Sequence, residues 1–374
     1  MTKRRPIADS SYVIDGVARE FTPAQLLDAV SEFPRGCTPA DPSAAIVDES
    51  LDPQVSVIAP DPRNTDAYLA CVMNAGGDIP LSASAACTRV KLAAALIEAL
   101  WKKGDFRLED LSVKASWSWN CDRIGSGAAF YESVLNASEY IDDLGLKFST
   151  WTCRRSTSAS SVSFRPVLAS QSNLCTASLF FDSGTQRARM SSSRTCPASF
   201  VADERSWVVY IPFDTSEYRL GGSLLAQAIP TIAGASPEIS DADYFIDCYE
   251  VVRELSQDGI LLSAATVSEG GLLKTVSQMC PEGTGMEMDI SDIMASAQEK
   301  NPVRVLFSEV PGAVIQIRDS DFDYLDAELL LQDVAFYPLG HPVAGGSGVR
   351  VKASAKTGIQ RILESLMQNA EGED

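Results

Sequence analysis

Residues 260–280, ILLSAATVSEGGLLKTVSQMC, pass from an apolar strand pattern into an amphipathic helix through a Ser-Glu-Gly-Gly turn. A strand joined to a helix by so short a turn limits the fold strongly, because the helix must lie back over the sheet that holds its strand. The same kind of passage recurs along the chain. LSVKASWSW (111–119) alternates like a strand and is followed by GAAFYESVLNASEYIDDLG, with Phe130, Val134, Ala137, Ile141 and Leu144 on one helical stripe and Gly145 as its stop. TRVKLAAALIEALWKKG (88–104) is a helix pattern with lysines in its last turn and Gly104 to end it. VSVIA (55–59) is a short apolar run, and LKFSTWT resumes an extended pattern.

The second half repeats the alternation. SWVVYIPF, ILLSAATV, GAVIQI, VAFYPLG and VRVKAS read as strands. GGSLLAQAI starts a helix, and DADYFIDCYEVVRELSQDG is a helix with Phe245, Cys248, Val252 and Leu255 on one face and Gly259 at its end. GGLLKTVSQMC, SDFDYLDAELLLQDV (with Ser320 as a cap) and TGIQRILESLMQNA complete the helical set. Between 153 and 200 the chain is Ser- and Thr-rich, punctuated by VSFRPVLAS and CTASLFFDSG, which reads as loops and strands around a boundary near 172. The expected fold class is α/β (α+β), helices covering sheets. The expected division is an extension over 1–44, domains over 45–172 and 173–355, and a helix with an acidic tail over 356–374.

A chain of 374 residues, 45% hydrophobic, can bury a core large enough for two domains. Its formal net charge of −19 argues against nucleic acid as the main partner, since phosphate binding draws on Lys and Arg. The clusters Arg154–Arg155 and Arg187/Arg189 do not reverse that balance. Nine singly placed cysteines without knuckle spacing imply buried or idle thiols in a reducing compartment. The longest apolar run, LAAALIEALW, is too short for a bilayer, and the basic opening MTKRRP is soon followed by Asp9, Asp15 and Glu20. A soluble, intracellular protein of the cytoplasm or an organelle matrix is expected. The one histidine, His341, sits in the loop YPLGHPVAGG, so Ser-His and Cys-His triads and HExxH sites lack their base or ligand, and it is expected at the surface. AGGSGVR (344–350) lacks the lysine of a P-loop.

Five phrases occur in order with consistent gaps: ASWSWN (115–120), GAAFYESVLNASEYIDDLGLKFS, YRLGGSLLAQ (218–227), SEGGLLKTVSQM (268–279) and LFSEVPGAVIQI (306–317). Together they resemble the phosphoribosylformylglycinamidine synthase and aminoimidazole ribonucleotide synthetase family of the purine pathway. Residues 50–355 are most similar to the second of the two tandem α/β units of the large synthase. The resemblance implies a two-domain unit whose N-terminal half is a sheet with helices used for dimerisation. No counterpart of the first unit is present in these residues, nor a Cys-His pair that could serve a glutaminase.

The resemblance also marks what has changed. Where family members carry His-Asp-Arg-Ser-Asp-Gly-Gly, this chain has Ala265, Thr266, Val267, Ser268, Glu269, Gly270 and Gly271. The helix positions that reach the metal align with Leu96 and Leu100, with Glu98 on a different face. The Gly-Lys-Asp-Ser phrase becomes Cys153, Arg154, Arg155 and Ser156. Magnesium needs hard oxygen ligands, so these exchanges remove much of its site. Gly221, Gly222 and Ser223 are kept, and Trp117 and Trp119 are expected to pack against a neighbouring layer.

The expectation is therefore a catalytically inactive relative with no catalytic residue, no metal and no cofactor. It would keep a degenerate nucleotide or phosphate site at Arg219, Gly221, Gly222, Ser223, Ser268, Glu269, Gly270, Gly271, Arg154, Arg155 and Ser156. It would act as a subunit of a homodimer or larger complex through an apolar face of its N-terminal sheet, residues 50–170. The alternative is a working ligase subunit that binds ATP and Mg²⁺, tested at Arg219, Ser223, Glu269 and Glu309. A third reading has Arg154, Arg155 and Arg219 holding another anion.

Overall fold

The computed structural model describes residues 6–36, 44–52, 58–76, 78–170 and 193–353. Most of the VSVIA run, CTASLFFDSG and the closing TGIQRILESLMQNA pattern lie outside these residues. Part of the segment read as an extension belongs to the core. Tyr12–Ile14 (β1) pairs antiparallel with Val17–Ala18 (β2) and parallel with Ile46–Asp48 (β3). Thr22 opens Pro23–Ala29 (α1) through a reciprocal capping box with Gln25. Ile7, Tyr12, Ile14, Ala24 and Leu27 are buried, and Tyr12 packs on Phe130 and Tyr131. These elements are short and broken by acidic residues, so they carry little periodic signal.

After the helix Thr65–Asn74 (α2), the chain forms Ser84–Leu100 (α3). α3 starts and ends four residues before the expected bounds, with Trp101 closing it, so Lys102 and Lys103 lie beyond the last turn. Leu111–Asn120 (β4) then runs into Ser126–Asp143 (α4), whose first N–H groups meet the Asp48 carboxylate from β3, at 2.9 Å from Gly125 and 2.7 Å from Gly127. Phe148–Ser156 (β5) pairs parallel with β4, and Ser161–Leu168 (β6) pairs antiparallel with it. Alternation decides the two faces of this sheet. Val113, Ala115, Trp117 and Trp119 point inward and are buried, and the indole N–H groups of both tryptophans are used on α4, by Ser133 Oγ and the Ser126 carbonyl. They pack against a neighbouring layer, as expected.

The other face differs from the apolar surface expected. The register sets Lys114, Ser116, Ser118 and Asn120 of β4 beside Thr150, Thr152, Arg154 and Ser156 of β5, with Ser161, Ser163 and Arg165 of β6 on the far side. These residues are exposed or half-buried, and the face is polar and basic because β4 alternates its apolar residues with Lys, Ser and Asn.

The second large sheet is antiparallel, in the order Tyr337–Gly340 (β11), Trp207–Pro212 (β7), Gly312–Ile317 (β10), Leu261–Val267 (β8). β10 is buried along its whole length. Gln316 at its centre is fully satisfied, accepting from Ser263 Oγ and the Val201 N–H and donating to the Val201 carbonyl and Ser206 Oγ. Ala313, Ile315 and Ile317 share one core with the N-terminal sheet, α3, α4 and Ala242–Gln257 (α6). A second core holds Val314 with Leu224–Ala228 (α5), Gly271–Met279 (α7), Ser291–Ser296 (α8) and Pro302–Phe307 (α9). The buried cluster thus runs across position 172. A fourth, small sheet joins Pro342–Ala344 (β12), Thr284–Asp289 (β9) and Gly348–Lys352 (β13). Phe322–Leu331 (α10) has no side-chain cap, and Ser320 bonds Asp321 Oδ1 instead. His341 is half-buried against Trp207, ring centroids 4.1 Å apart, with Nδ1 at 3.0 Å from the Ser206 carbonyl.

Candidate functional site

Three chain turns converge where the sequence keeps its glycines. Gly222, at φ +80°, brings the backbone against α3, where a Cβ would lie 2.7 Å from Cys87 Sγ. Ser223 then caps α5 by accepting from the Ala226 N–H. Gly221 packs on the 234–235 backbone so closely that a Cβ would sit 2.2 Å from the Gly234 carbonyl oxygen. In the Ser268–Gly271 turn, Gly270 and Gly271 are both left-handed, and the Ser268 carbonyl accepts from the Gly271 N–H.

The stretch 306–312 ties the two glycine turns together. Ser308 Oγ donates to the Arg219 carbonyl at 2.8 Å. One oxygen of Glu309 accepts from the Leu224 N–H and the Gly270 N–H, both at 2.7 Å. Burial pushes the Glu309 carboxyl up to about 7, with Glu269 adding to the rise, while the two backbone donors and Lys91 pull the other way. Burial first, and then Glu309, pushes the Cys87 thiol up to about 12.

α3 supplies the facing wall. Lys91 forms an ion pair with Glu269 across the turn. Glu98, seven residues on and so on the same helical face, accepts from Thr266 Oγ1 at 3.0 Å and from Arg194 at 2.8 Å. Thr266 Oγ1 also accepts from the Trp101 indole at 2.9 Å, and Arg194 donates a further bond to the Ala264 carbonyl. Glu98 thus lies on a different helical face from Leu96 and Leu100, as the sequence implied, but it is Glu98 that faces β8, whereas Leu96 and Leu100, aligned with the metal-reaching positions, are buried in the core.

The structure brings together Arg219, Gly221, Gly222 and Ser223 with Ser268, Glu269, Gly270 and Gly271. It does not bring in Arg154, Arg155 or Ser156. These lie on β5, and no hydrogen bond or ion pair among the described residues joins them to the glycine turns. Arg219 donates to Glu217 and Glu238, each at 3.0 Å, so the three arginines do not converge on one anion. Lys91 and Arg194 escaped the sequence reading. One signal was present: Lys91 and Glu98 are the only charged residues between 90 and 101, spaced for one helical face.

Residues 216–352, which hold both glycine turns and the 306–312 stretch, match the family described as AIR synthase related protein, C-terminal domain. Over these residues the chain is similar to that family. Among curated relatives, phosphoribosylformylglycinamidine synthase of Drosophila melanogaster is 25% identical over 294 residues, 76% of this chain and 21% of that one. The probable chloroplastic/mitochondrial phosphoribosylformylglycinamidine synthase of Arabidopsis thaliana is 23% identical over 290 residues, 75% and 19%. The chain thus spans about a fifth of the length of these relatives. Thermotoga maritima PurL complexed with FGAR superposes with a TM-score of 0.52 over 78% of this chain and 48% of that one; at 10% identity this likeness is one of fold. The recognised family and the mixed α/β architecture agree with the expectations from sequence. No described helix is long and apolar enough to cross a membrane.

Proposed function

We propose that this chain is a catalytically inactive relative of the purine-biosynthetic amidoligases, working as a structural or interaction subunit of a dimer or larger complex. The observation that carries this reading is that the acidic groups around the Ser268–Gly271 turn already have partners within the chain. Lys91 holds Glu269, Arg194 holds Glu98, and the Thr266 hydroxyl is engaged on both sides. The residues present do not fit a magnesium ion, which takes near-octahedral oxygen ligands at roughly 2.1 Å. Among the described residues no group of three or more His, Cys, Asp or Glu is placed to hold a metal. Calorimetric titration with ATP or ADP, with and without Mg²⁺, is expected to give no binding heat. Tight, Mg²⁺-dependent binding would overturn the reading in favour of a ligase subunit whose partner supplies ammonia and the complementary half-site.

The partner surface in this reading is the outer face of the β5-β4-β6 sheet. Lys114, Arg154 and Arg165 project there without an acidic neighbour among the face residues, in a chain of net charge −19. Such a face suits an acidic partner surface better than an apolar one. In light scattering the purified protein is expected to be a dimer or larger, the basic face of one copy meeting an acidic surface of the next, and the triple variant Lys114→Glu, Arg154→Glu, Arg165→Glu is expected to dissociate it. A wild-type protein that stays a stable monomer on dilution counts against this surface.

A further inference from the structure

We propose that Lys91 is a tethered cation, an ammonium carried on α3 that neutralises the carboxylates of the glycine turns and makes the site independent of any free cation. The inference rests on the reading of the site as catalytically idle and says how it is held. Two carboxylates meet here from separate loops, Glu269 on the turn before α7 and Glu309 on the 306–312 stretch. Glu309 accepts from the Gly270 N–H, the residue next to Glu269, so the two acids are neighbours in space. Lys91 pairs directly with Glu269 and is close enough to oppose, with the backbone donors, the effect of burial on Glu309.

Its side chain is about one-fifth exposed and that of Glu269 about two-fifths, so solvent screens the pair only in part. A covalently held ammonium needs no ion concentration to be present. It also links α3, from the first half of the chain, to the β8–α7 passage of the second. Two residues along the helix axis from Lys91, Ala93 is buried in the core, so the lysine has a fixed base from which to reach. Without the ammonium, Glu269 would lose its counter-charge while Glu309, one residue away through the Gly270 N–H, kept only its two backbone donors. That pair of carboxylates, with the space left by a truncated lysine, is a place for an external divalent cation.

The test is thermal melting of wild type, Lys91→Ala and the double variant Lys91→Ala/Glu269→Ala, without Mg²⁺ and with millimolar Mg²⁺ at matched ionic strength. Wild type is expected to melt at the same temperature in both buffers. Lys91→Ala is expected to melt roughly 3–6 °C lower without Mg²⁺ and to regain at least half of the loss with it. The double variant is expected to melt above the single one and to ignore Mg²⁺. If Lys91→Ala does not fold, Lys91→Gln carries the same comparison. A lysine variant as stable as wild type, or one that neither Mg²⁺ nor removal of Glu269 restores, overturns the inference and leaves the idle-site reading standing. A Mg²⁺-dependent rise in wild type overturns the idle-site reading itself.

Discussion

Replacing Glu309 with alanine is expected to lower the melting temperature by roughly 10 °C. The side chain is buried, and one of its oxygens is the acceptor for two backbone N–H groups, those of Leu224 and Gly270. Truncation leaves both donors without an acceptor and opens a void between the glycine turns. Together these cost about 3–4 kcal/mol, at roughly 2–4 °C per kcal/mol for a large domain. The same residue sets a pH dependence with a defined sign. Its folded-state value, about 7, lies above the 4.5 of an unburied glutamate, so the folded chain holds the proton more tightly than the unfolded one. The stability this contributes is complete below about pH 4.5 and is lost as pH rises through 7, a change of roughly 3 kcal/mol. Wild type should therefore melt at a higher temperature near pH 5 than near pH 8. Glu309→Gln, which keeps an acceptor oxygen but no titrating proton, should flatten that slope. Parallel slopes for the two proteins would remove Glu309 as its source.

The second large effect belongs to Gly271. Substitution by alanine is expected to leave little or no soluble, folded protein. The residue has φ +76°, and a Cβ there would lie 2.7 Å from the Leu306 carbonyl oxygen and 2.8 Å from two backbone atoms of Phe307. The left-handed conformation alone costs about 1–2 kcal/mol for an L-residue. The contacts are with backbone rather than with the end of a flexible side chain, so relief requires moving 306–312 away and breaking the Glu309 bridge. Gly145→Ala is the matching control. It has φ +68° and nothing within 4 Å of a Cβ, so only the conformational cost applies. Circular dichroism of the two variants side by side reads the difference. A well-folded Gly271→Ala protein would mean that the turn and the 306–312 stretch are not locked together.

The alternation of ASWSW was enough to place β4 and to say that its tryptophans face a layer, because a period of two leaves them on one side. The stripe of α4, its stop at Gly145 and the passage from β8 to α7 were legible for the same reason: local periodicity and glycine conformation are properties of neighbouring residues. The glycines at 221, 222, 270 and 271 also announced close backbone approaches before any neighbour was known. The outer face of the β5-β4-β6 sheet was misjudged as apolar, although Lys114, Ser116, Ser118 and Asn120 stand in plain alternation with the buried residues. There the family expectation outweighed the residues themselves.

The acid and base partners of the site were out of reach. That Glu98 meets Thr266 and Arg194 and that Lys91 meets Glu269 depends on how α3 crosses the second sheet, and that Glu309 closes two N–H donors 85 and 39 residues away depends on how the two glycine turns meet the 306–312 stretch. Sequence by itself determined the long strands and helices, such as β4, α4, α6, β8 and α7, and where the backbone must turn tightly, since those follow from side-chain period and φ preference over a few residues. Only the tertiary structure decided which charges neutralise which, because a Coulomb partner is chosen by distance in space and by burial, and neither is written in the order of residues.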